Sequence, residues 1–189
     1  MGESLGGLGD INNDGYDDFA VGSHNYDNGA GTGADLGKVY VYHGSSTSPV
    51  LAFEISNTEN VAKFGQTLIS CGDMNQDGYD DFMIGAPLAD AGGINRGQTF
   101  LYFGSETTPG SPTIFNGTQD NVNLGANLSN IGDFNGDSLN DIAMGLPNAN
   151  GNGSAQGTFL VYFSPINDPL TPNAIITGNE NNSGFGITD

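Results

Sequence analysis

The chain has 189 residues, enough for one ordinary domain or for three units of roughly 60 residues. Its 22 acidic residues face only 3 Lys and Arg residues, for a formal net charge of -19, so a run of phosphates could not be neutralised and nucleic-acid binding is excluded. Disorder is excluded as well, because 36% of the residues are hydrophobic and 7 Tyr with 11 Phe supply material for a core.

The cysteine count and the hydropathy of the sequence exclude further classes of protein. Cys71 is the single cysteine, so an intrachain disulfide is impossible, and its alignment with Leu8 and Ile131 in the other copies of an internal repeat predicts a small buried side chain. No apolar run approaches the roughly 18 residues that span a bilayer, so we expect no membrane insertion. The first residues, MGESLGGLGD, show neither the basic nor the apolar region of a signal peptide.

The chain consists of three copies of one unit, each with four short apolar segments separated by Gly, Pro, Asn and Asp clusters. The first unit contains GDINNDGYDDFAVGS, GKVYVYHGS and SPVLAFEIS. The second begins FGQTLISCG and continues with GDMNQDGYDDFMIGA, GQTFLYFGS and SPTIFNGTQ. The third begins LGANLSNIG and continues with GDFNGDSLNDIAMGL, GTFLVYFSP and TPNAIITGN, after which FGITD from Phe185 repeats the start of a unit.

Four short segments per unit predict four antiparallel strands, and a repeat of this length is typical of β-propeller blades. We therefore expect an all-β fold of three four-stranded antiparallel repeats of about 60 residues. A sandwich would not need sequence repeats, and a β-helix has a much shorter period. The predicted organisation is one repeat domain, 1–189, with blade units near 1–63, 64–123 and 124–184 and the start of a further strand at 185–189.

An acidic loop follows the first segment of each unit, with Asp or Asn at positions 1, 3, 5 and 9 from its first Asp. Calcium takes about six to eight hard oxygens, and short Asp and Asn side chains suit a chain that curls round the ion. Position 7 would contribute its main-chain carbonyl oxygen. The predicted ligands are Asp10, Asn12, Asp14, Tyr16 and Asp18; Asp73, Asn75, Asp77, Tyr79 and Asp81; and Asp133, Asn135, Asp137, Leu139 and Asp141.

Two other interpretations of these loops are an EF-hand and an ordinary hairpin turn. An EF-hand needs a Glu at position 12, where this chain has Val21, Ile84 and Met144 inside apolar runs, so the pattern predicts a strand–loop–strand site. Ordinary hairpin turns also use Asp, Asn and Gly. Three in-register copies, each with at least three carboxylates in nine residues, favour metal, because such loops would repel themselves without a cation.

The Phe-Gly start, the D-x-N-x-D-G-x-x-D loop and the apolar strand ending in Gly resemble FG-GAP repeats, the calcium-binding blades of integrin α-subunit propellers and of many bacterial surface proteins. The resemblance implies a β-propeller in which calcium stabilises the blades and binding uses loops elsewhere on the disc. The third loop departs from the pattern with Ser138 for Gly and Leu139-Asn140 for Tyr-Asp, which predicts that it is the weakest of three Ca²⁺ sites. The family's propellers commonly have seven blades, whereas this chain holds three.

Three blades do not close a ring, so open faces would expose apolar surface. We expect either a homo-oligomer, most simply two chains in a six-bladed ring, or further blades of a parent chain.

The sequence favours a non-enzymatic, extracellular or cell-surface module for adhesion or recognition of a protein or glycan ligand, with no catalytic residue predicted. Low-affinity calcium sites fill only where the ion is abundant. The variable loops His24–Leu36, Leu88–Arg96 and Asn148–Gln156 occupy equivalent places and would present the binding face. A carbohydrate-binding or carbohydrate-active propeller and a structural assembly unit of a ring or filament remain as alternatives.

Overall fold

The computed structural model of the chain describes residues 2–27, 29, 35–59, 61–149, 156–166 and 169–178. The repeated start at Phe185 and parts of the first and third variable loops lie outside these ranges. The described residues form strands and turns without a helix, and so contain no helical segment that could cross a bilayer.

Twelve strands form three separate four-stranded sheets, and in each sheet the strands lie in chain order. The first sheet contains β1 (Ser4–Gly9), β2 (Asp18–Ser23), β3 (Lys38–His43) and β4 (Val50–Ser56). The second contains β5 (Thr67–Gly72), β6 (Asp81–Ala86), β7 (Gln98–Tyr102) and β8 (Thr113–Asn116). The third contains β9 (Asn127–Gly132), β10 (Asp141–Leu146), β11 (Thr158–Tyr162) and β12 (Ala174–Thr177).

All neighbouring strands are antiparallel, and the three sheets repeat one register. The second and third strands pair Phe19 with Tyr42 in the first sheet, Phe82 with Tyr102 in the second, and Ile142 with Tyr162 in the third. The expected all-β fold of three four-stranded antiparallel propeller blades is therefore confirmed. We call the sheets blades 1, 2 and 3 in chain order.

The hydrophobic core lies in the two seams between blades. The first seam packs Ala20, Val39 and Val41 of blade 1 against a set in blade 2 that includes Phe82 and Ile84. The second seam packs the opposite face of blade 2 against blade 3, through residues that include Met83, Leu101, Ile142 and Met144. Because both its faces are covered, blade 2 buries every residue of β6.

Cys71 lies in the second seam and is fully buried, as the sequence predicts. Burial raises the pKa of its thiol well above the usual value, and the nearby Asp81 carboxylate adds to the shift. The thiol is therefore a packing group in the core rather than a reactive nucleophile.

Main-chain contacts also join neighbouring blades at the start of each unit. Isolated parallel bridges connect Gly37 with Phe64 and Gly97 with Leu124. The hydroxyls of Ser4 and Thr67 each donate a 2.5 Å hydrogen bond to the carbonyl oxygen of a glycine in the next unit. The blades approach so closely here that side chains larger than hydrogen have little room.

Strand order places the acidic loops and the variable loops at opposite ends of the blades. The acidic loop joins the first strand of a blade to the second, and the variable loop joins the second to the third. Because these strands are antiparallel, consecutive connections lie at opposite ends of a sheet. One end of the arc is therefore strongly acidic, and the other carries the loops that differ between units.

The blade seam can be tested with two strand glycines. A Cβ at Gly85 would overlap the carbonyl oxygen of Gly125 across the seam and the hydroxyl of Thr67 on the neighbouring strand β5, whereas a Cβ at Gly7 would have nothing within 4 Å. We expect Gly85→Ala to lower the free energy of unfolding by about 2 kcal/mol through overpacking. Gly7→Ala should leave it unchanged or raise it by up to about 1 kcal/mol, because alanine has less backbone freedom to lose. Urea denaturation of both variants measures the difference, and equal effects would contradict the packing described here.

Candidate metal centre

The acidic loops occupy residues 10–17, 73–80 and 133–140, between the first and second strands of each blade. Position 9 of each loop is the first residue of the second strand. The predicted ligands of one loop therefore lie on one short connection, whose far end is fixed by the sheet.

Each loop curls round the carboxylate at position 1. In blade 2 the Asp73 carboxylate accepts backbone N–H groups from Asp77 at 3.0 Å and from Gly78 at 2.9 Å. The Asn75 Oδ1 atom accepts the same Asp77 N–H, and the Asp77 Oδ1 atom accepts the N–H of Tyr79. These bonds draw the oxygens of positions 1, 3 and 5 toward the inside of the turn.

The other two loops repeat this arrangement. Asp10 accepts N–H groups from Asp14 and Gly15, at 3.0 and 2.8 Å. Asp133 accepts them from Asp137 and Ser138, both at 2.9 Å. The two N–H bonds to position 1 therefore recur in all three loops, and Asp133 accepts a further N–H from Gly136 at 2.7 Å.

The asparagine at position 3 bonds the carboxylate at position 5 through its amide nitrogen. The Nδ2–Oδ2 distance is 2.9 Å from Asn12 to Asp14, 2.8 Å from Asn75 to Asp77 and 2.8 Å from Asn135 to Asp137. In loop 1 the Asn12 Nδ2 atom also lies 3.1 Å from the Nδ1 atom of His43. The asparagine amide thus takes the place beside the position-5 carboxylate that a cation would otherwise occupy.

The aspartate at position 9 is buried and joins the loop to the next hairpin. Asp81 accepts the N–H of Met74 inside the loop at 2.9 Å and the N–H of Gly104, beyond β7, at 3.0 Å. Asp18 accepts the N–H groups of Ile11 and Gly44 in the same way, at 3.0 and 2.8 Å. In blade 3 Asp141 accepts the N–H groups of Phe134 and Ser164, both at 3.0 Å, and that of Asn135 at 3.2 Å.

Burial makes the charged form of this aspartate costly. It raises the pKa of Asp81 to about 7, against the lowering effect of the N–H groups of Gly104 and Met74, and the carboxylates of Asp77 and Asp73 raise it further. Burial likewise raises the pKa of Asp18 above its ordinary value. A negative charge at position 9 therefore lies where water does little to stabilise it.

The positive side chains lie away from these loops. Lys38 pairs with Glu54 at 2.5 Å and Arg96 with Asp120 at 2.8 Å, while Lys63 donates to Asn25. Among the residues that the structure describes, no ion pair includes an acidic-loop carboxylate. Within the described part of the chain, the hydrogen bonds to the loop carboxylates come from backbone and amide N–H groups.

The main chain turns through left-handed conformations at position 6 of every loop. Gly15 has a φ of 89° and Gly78 a φ of 91°, which glycine adopts without strain. Ser138 has a φ of 74° at the same position, a conformation that a side chain makes unfavourable. The third loop thus keeps the shape of the others at a cost in backbone energy.

The donors fit calcium by their chemistry. Each loop offers carboxylate oxygens at positions 1, 5 and 9, an amide oxygen at position 3 and the main-chain carbonyl oxygen of Tyr16, Tyr79 or Leu139, all of the hard oxygen type that calcium prefers. No group of three acidic, histidine or cysteine side chains converges into a ready-made metal site within the described ranges. The fifteen predicted ligands are thus grouped on three loops, and their coordination of an ion stays a prediction.

Asp80, at position 8, takes part in a contact between loops that the sequence analysis did not identify. Its Oδ2 atom accepts the N–H of Asp10 at 3.0 Å, and its own N–H donates to the Asp10 carbonyl oxygen at 3.1 Å. In blade 3 the residue at this position is Asn140. The sequence signal for this residue is the acidic pair that repeats at positions 8 and 9 of the first two loops. The spacing of that pair does not show that position 8 contacts the preceding blade.

Comparison with known proteins agrees with this architecture. The model of the FG-GAP repeat family matches residues 1–42 and 64–102. Integrin alpha-4 of Xenopus laevis is 33% identical over 144 residues, which cover 72% of this chain and 13% of that protein. Human integrin alpha-8 is 31% identical over 161 residues, covering 79% and 15%.

A relative of another kind is the phosphatidylinositol-glycan-specific phospholipase D of Bos taurus, 30% identical over 168 residues, which cover 82% of this chain and 20% of that protein. The chain therefore spans no more than a fifth of the length of these relatives. The chain belongs to the FG-GAP repeat family.

Proposed function

We propose that the chain is a calcium-stabilised β-propeller module for adhesion or recognition at a cell surface, and that it acts without catalysing a reaction. The observation that carries this proposal is the repeated acidic loop, whose carboxylates have no cationic side chain among their described contacts. Similarity to two integrin alpha chains supports adhesion or recognition as the role.

Calcium would be held in each loop by the oxygens of positions 1, 3, 5, 7 and 9. The ion supplies positive charge and a coordination shell of hard oxygens. In blade 2, Asp73 and Asp77 would provide exposed carboxylates, and the buried Asp81 would connect the ion to the N–H groups of Met74 and Gly104. Binding would therefore link the loop, the second strand and the turn after the third strand.

A bound metal would also help to stabilise the fold of this chain. With one cysteine the chain cannot form an intrachain disulfide, and its net charge of -19 favours expansion. A cation that binds the folded loop and not the unfolded chain stabilises the fold by mass action. Sites of low affinity would be filled outside the cell, where calcium is abundant, which supports an extracellular location.

Recognition is assigned to the end of the arc opposite the acidic loops. The second variable loop is described in full and is held in one shape: Gly97 donates to the Ala89 carbonyl oxygen at 2.8 Å, and Asn121 donates to Ile94 at 2.7 Å. Arg96 bonds Asp120 of the following connection, and Ile94 remains 58% exposed. A fixed loop with an exposed apolar side chain suits the binding of a protein or glycan surface.

A non-catalytic role is supported by the way the acidic side chains are used. The clustered carboxylates accept backbone N–H groups within the loops. Neither histidine is arranged as a general base: His24 faces Glu3 at 3.7 Å, and His43 lies against Phe53 and Asn12. The ring would be completed by a second copy or by further blades of a parent chain.

Chelation and a pair of matched variants test calcium stabilisation. We expect EDTA to lower the Tm substantially and calcium to restore it. Asp77→Asn keeps an oxygen that can accept the Tyr79 N–H but removes one charge, so it should lower the Tm in calcium. In EDTA the loss should be smaller than in calcium, because the Asn75 amide loses its acceptor but one repulsive charge is also gone. Asp137→Asn should show the same pattern with a smaller loss.

Glu106→Gln serves as the control, since this exposed residue lies outside the acidic loops. It should have the same small effect in calcium and in EDTA. A Tm that does not change in excess chelator would overturn calcium stabilisation.

A reciprocal exchange at position 6 tests the strain in the third loop. Ser138→Gly should raise the free energy of unfolding by about 0.5–1 kcal/mol and strengthen calcium binding by that loop, because glycine accepts a positive φ. Gly78→Ser should lower both quantities in the second loop. Urea denaturation and calcium titration calorimetry measure the two effects, and a Ser138→Gly variant less stable than the parent would contradict the assignment.

A further inference from the structure

Asp80 joins the acidic loops of blades 1 and 2, which we call loops 1 and 2. Its Oδ2 atom accepts the N–H of Asp10 at 3.0 Å, and its own N–H donates to the Asp10 carbonyl oxygen at 3.1 Å. A Cβ at Gly9 would overlap the Asp80 carboxylate, so only glycine at that position allows the two loops to lie this close. Both main-chain polar groups of Asp10 are thus bonded to one residue of loop 2.

A second connection between the same loops passes through the residues that follow β7. Ser105 donates its N–H to the carbonyl oxygen of Ile11 at 2.9 Å. The neighbouring Gly104 donates to the buried Asp81 of loop 2 at 3.0 Å. The N–H of Ile11 donates to Asp18, the equivalent aspartate of loop 1, also at 3.0 Å. The position-9 aspartates of the two loops are therefore linked through Ile11 and the connection after β7.

Blades 2 and 3 are not joined in this way. Position 8 of the third loop is Asn140, and among the described residues no hydrogen bond joins it to Asp73. Its amide nitrogen, rather than a carboxylate oxygen, lies next to Gly72. Pro165 occupies the position of Ser105, and proline has no N–H to donate. The third loop therefore lacks both of the connections that join loop 2 to loop 1.

One peptide group takes part in both loops. The peptide between Tyr79 and Asp80 has its carbonyl oxygen at position 7 of loop 2, a predicted calcium ligand, and its N–H on Asp10 of loop 1. Polar contacts in a chain polarise one another, so an oxygen that coordinates a cation makes the N–H of the same peptide a stronger donor. Coordination through the Tyr79 carbonyl oxygen would therefore strengthen a bond that positions Asp10, itself a predicted ligand.

The sequence neighbours of Asp80 act in the same direction. Tyr79 and Asp81, on either side of it, are the predicted ligands at positions 7 and 9 of loop 2. Binding at these two positions would fix the main chain around Asp80 and keep its carboxylate on the Asp10 N–H. Loop 1 then loses less conformational freedom when it binds an ion, which is positive coupling between the two loops.

We propose that loops 1 and 2 bind calcium as a coupled pair through Asp80, whereas the third loop binds it independently. Coupling between sites is reciprocal, so occupancy of either loop raises the affinity of the other by the same factor. This inference rests on the calcium binding proposed above and adds that loops 1 and 2 fill together, over one range of calcium concentration.

Calcium titration followed by amide NMR tests the coupling loop by loop. The N–H groups of Gly15, Gly78 and Ser138 bond the position-1 carboxylates and so report on loops 1, 2 and 3 separately. Asp77→Asn in loop 2 should raise the calcium Kd read at Gly15 by about fivefold or more and leave the Kd read at Ser138 nearly unchanged. Asp14→Asn in loop 1 should raise the Kd read at Gly78 by the same factor.

Asp80→Ala tests whether this residue carries the coupling. In the Asp80→Ala background, Asp77→Asn should no longer change the Kd read at Gly15. The Asp10 N–H should also exchange with solvent faster in EDTA, where calcium plays no part. Asn140→Ala is the matched control, because it removes the side chain at the same position of the third loop, and it should leave the coupling unchanged.

The outcomes separate this inference from the proposed function. If no signal shifts with calcium, calcium binding is overturned and the coupling with it. If all three loops bind but Asp77→Asn leaves the Kd read at Gly15 unchanged, or Asp80→Ala leaves the coupling intact, only the coupling through Asp80 is overturned. The comparison of Asp77→Asn with the parent chain needs no change at Asp80, so it remains decisive even if Asp80→Ala does not fold.

Discussion

A buried aspartate at the start of the second strand fastens the acidic loop of each blade to the sheet. Asp18, Asp81 and Asp141 each accept at least one N–H from their own loop and one from the residues that follow the third strand. These carboxylates are almost completely inaccessible to solvent, with at most 2% exposed. The loop shape, the hairpin next to it and the direction of the predicted ligands all depend on these bonds.

The same constraint explains why the two ends of the blades differ. At the acidic end the connections are short, repeated and fixed by carboxylates, so their sequence can change little without loss of the turn. At the opposite end the connections vary in length and composition, and the described one is held by its own backbone bonds. A repeated scaffold with one variable end is a suitable frame for a binding surface.

Much of the fold could be predicted from the sequence because the repeat is a strong signal. Segments such as KVYVYH and QTFLY are continuously apolar or alternate apolar with polar residues, and they lie between Gly and Asp clusters. In the structure they form β3 and β7. The acidic loops were equally visible, because Asp and Asn recur at fixed positions in each unit. Cys71 aligned with apolar residues and is buried, as that alignment predicts.

Contacts between residues distant in sequence could not be predicted in this way. Asp80 reaches Asp10 across 70 residues, and only the three-dimensional packing of loop on loop shows the bond. The position-3 amide nitrogen faces the position-5 carboxylate, a detail that residue types do not reveal.

We propose that calcium balances the carboxylates of the acidic loops. Equilibrium dialysis of the intact chain against labelled calcium, with magnesium in excess, measures this binding. We expect one calcium ion to be retained per acidic loop, and the third loop to fill last because Ser138 occupies a strained position. Retention of no more calcium than an equally acidic protein without such loops would contradict it.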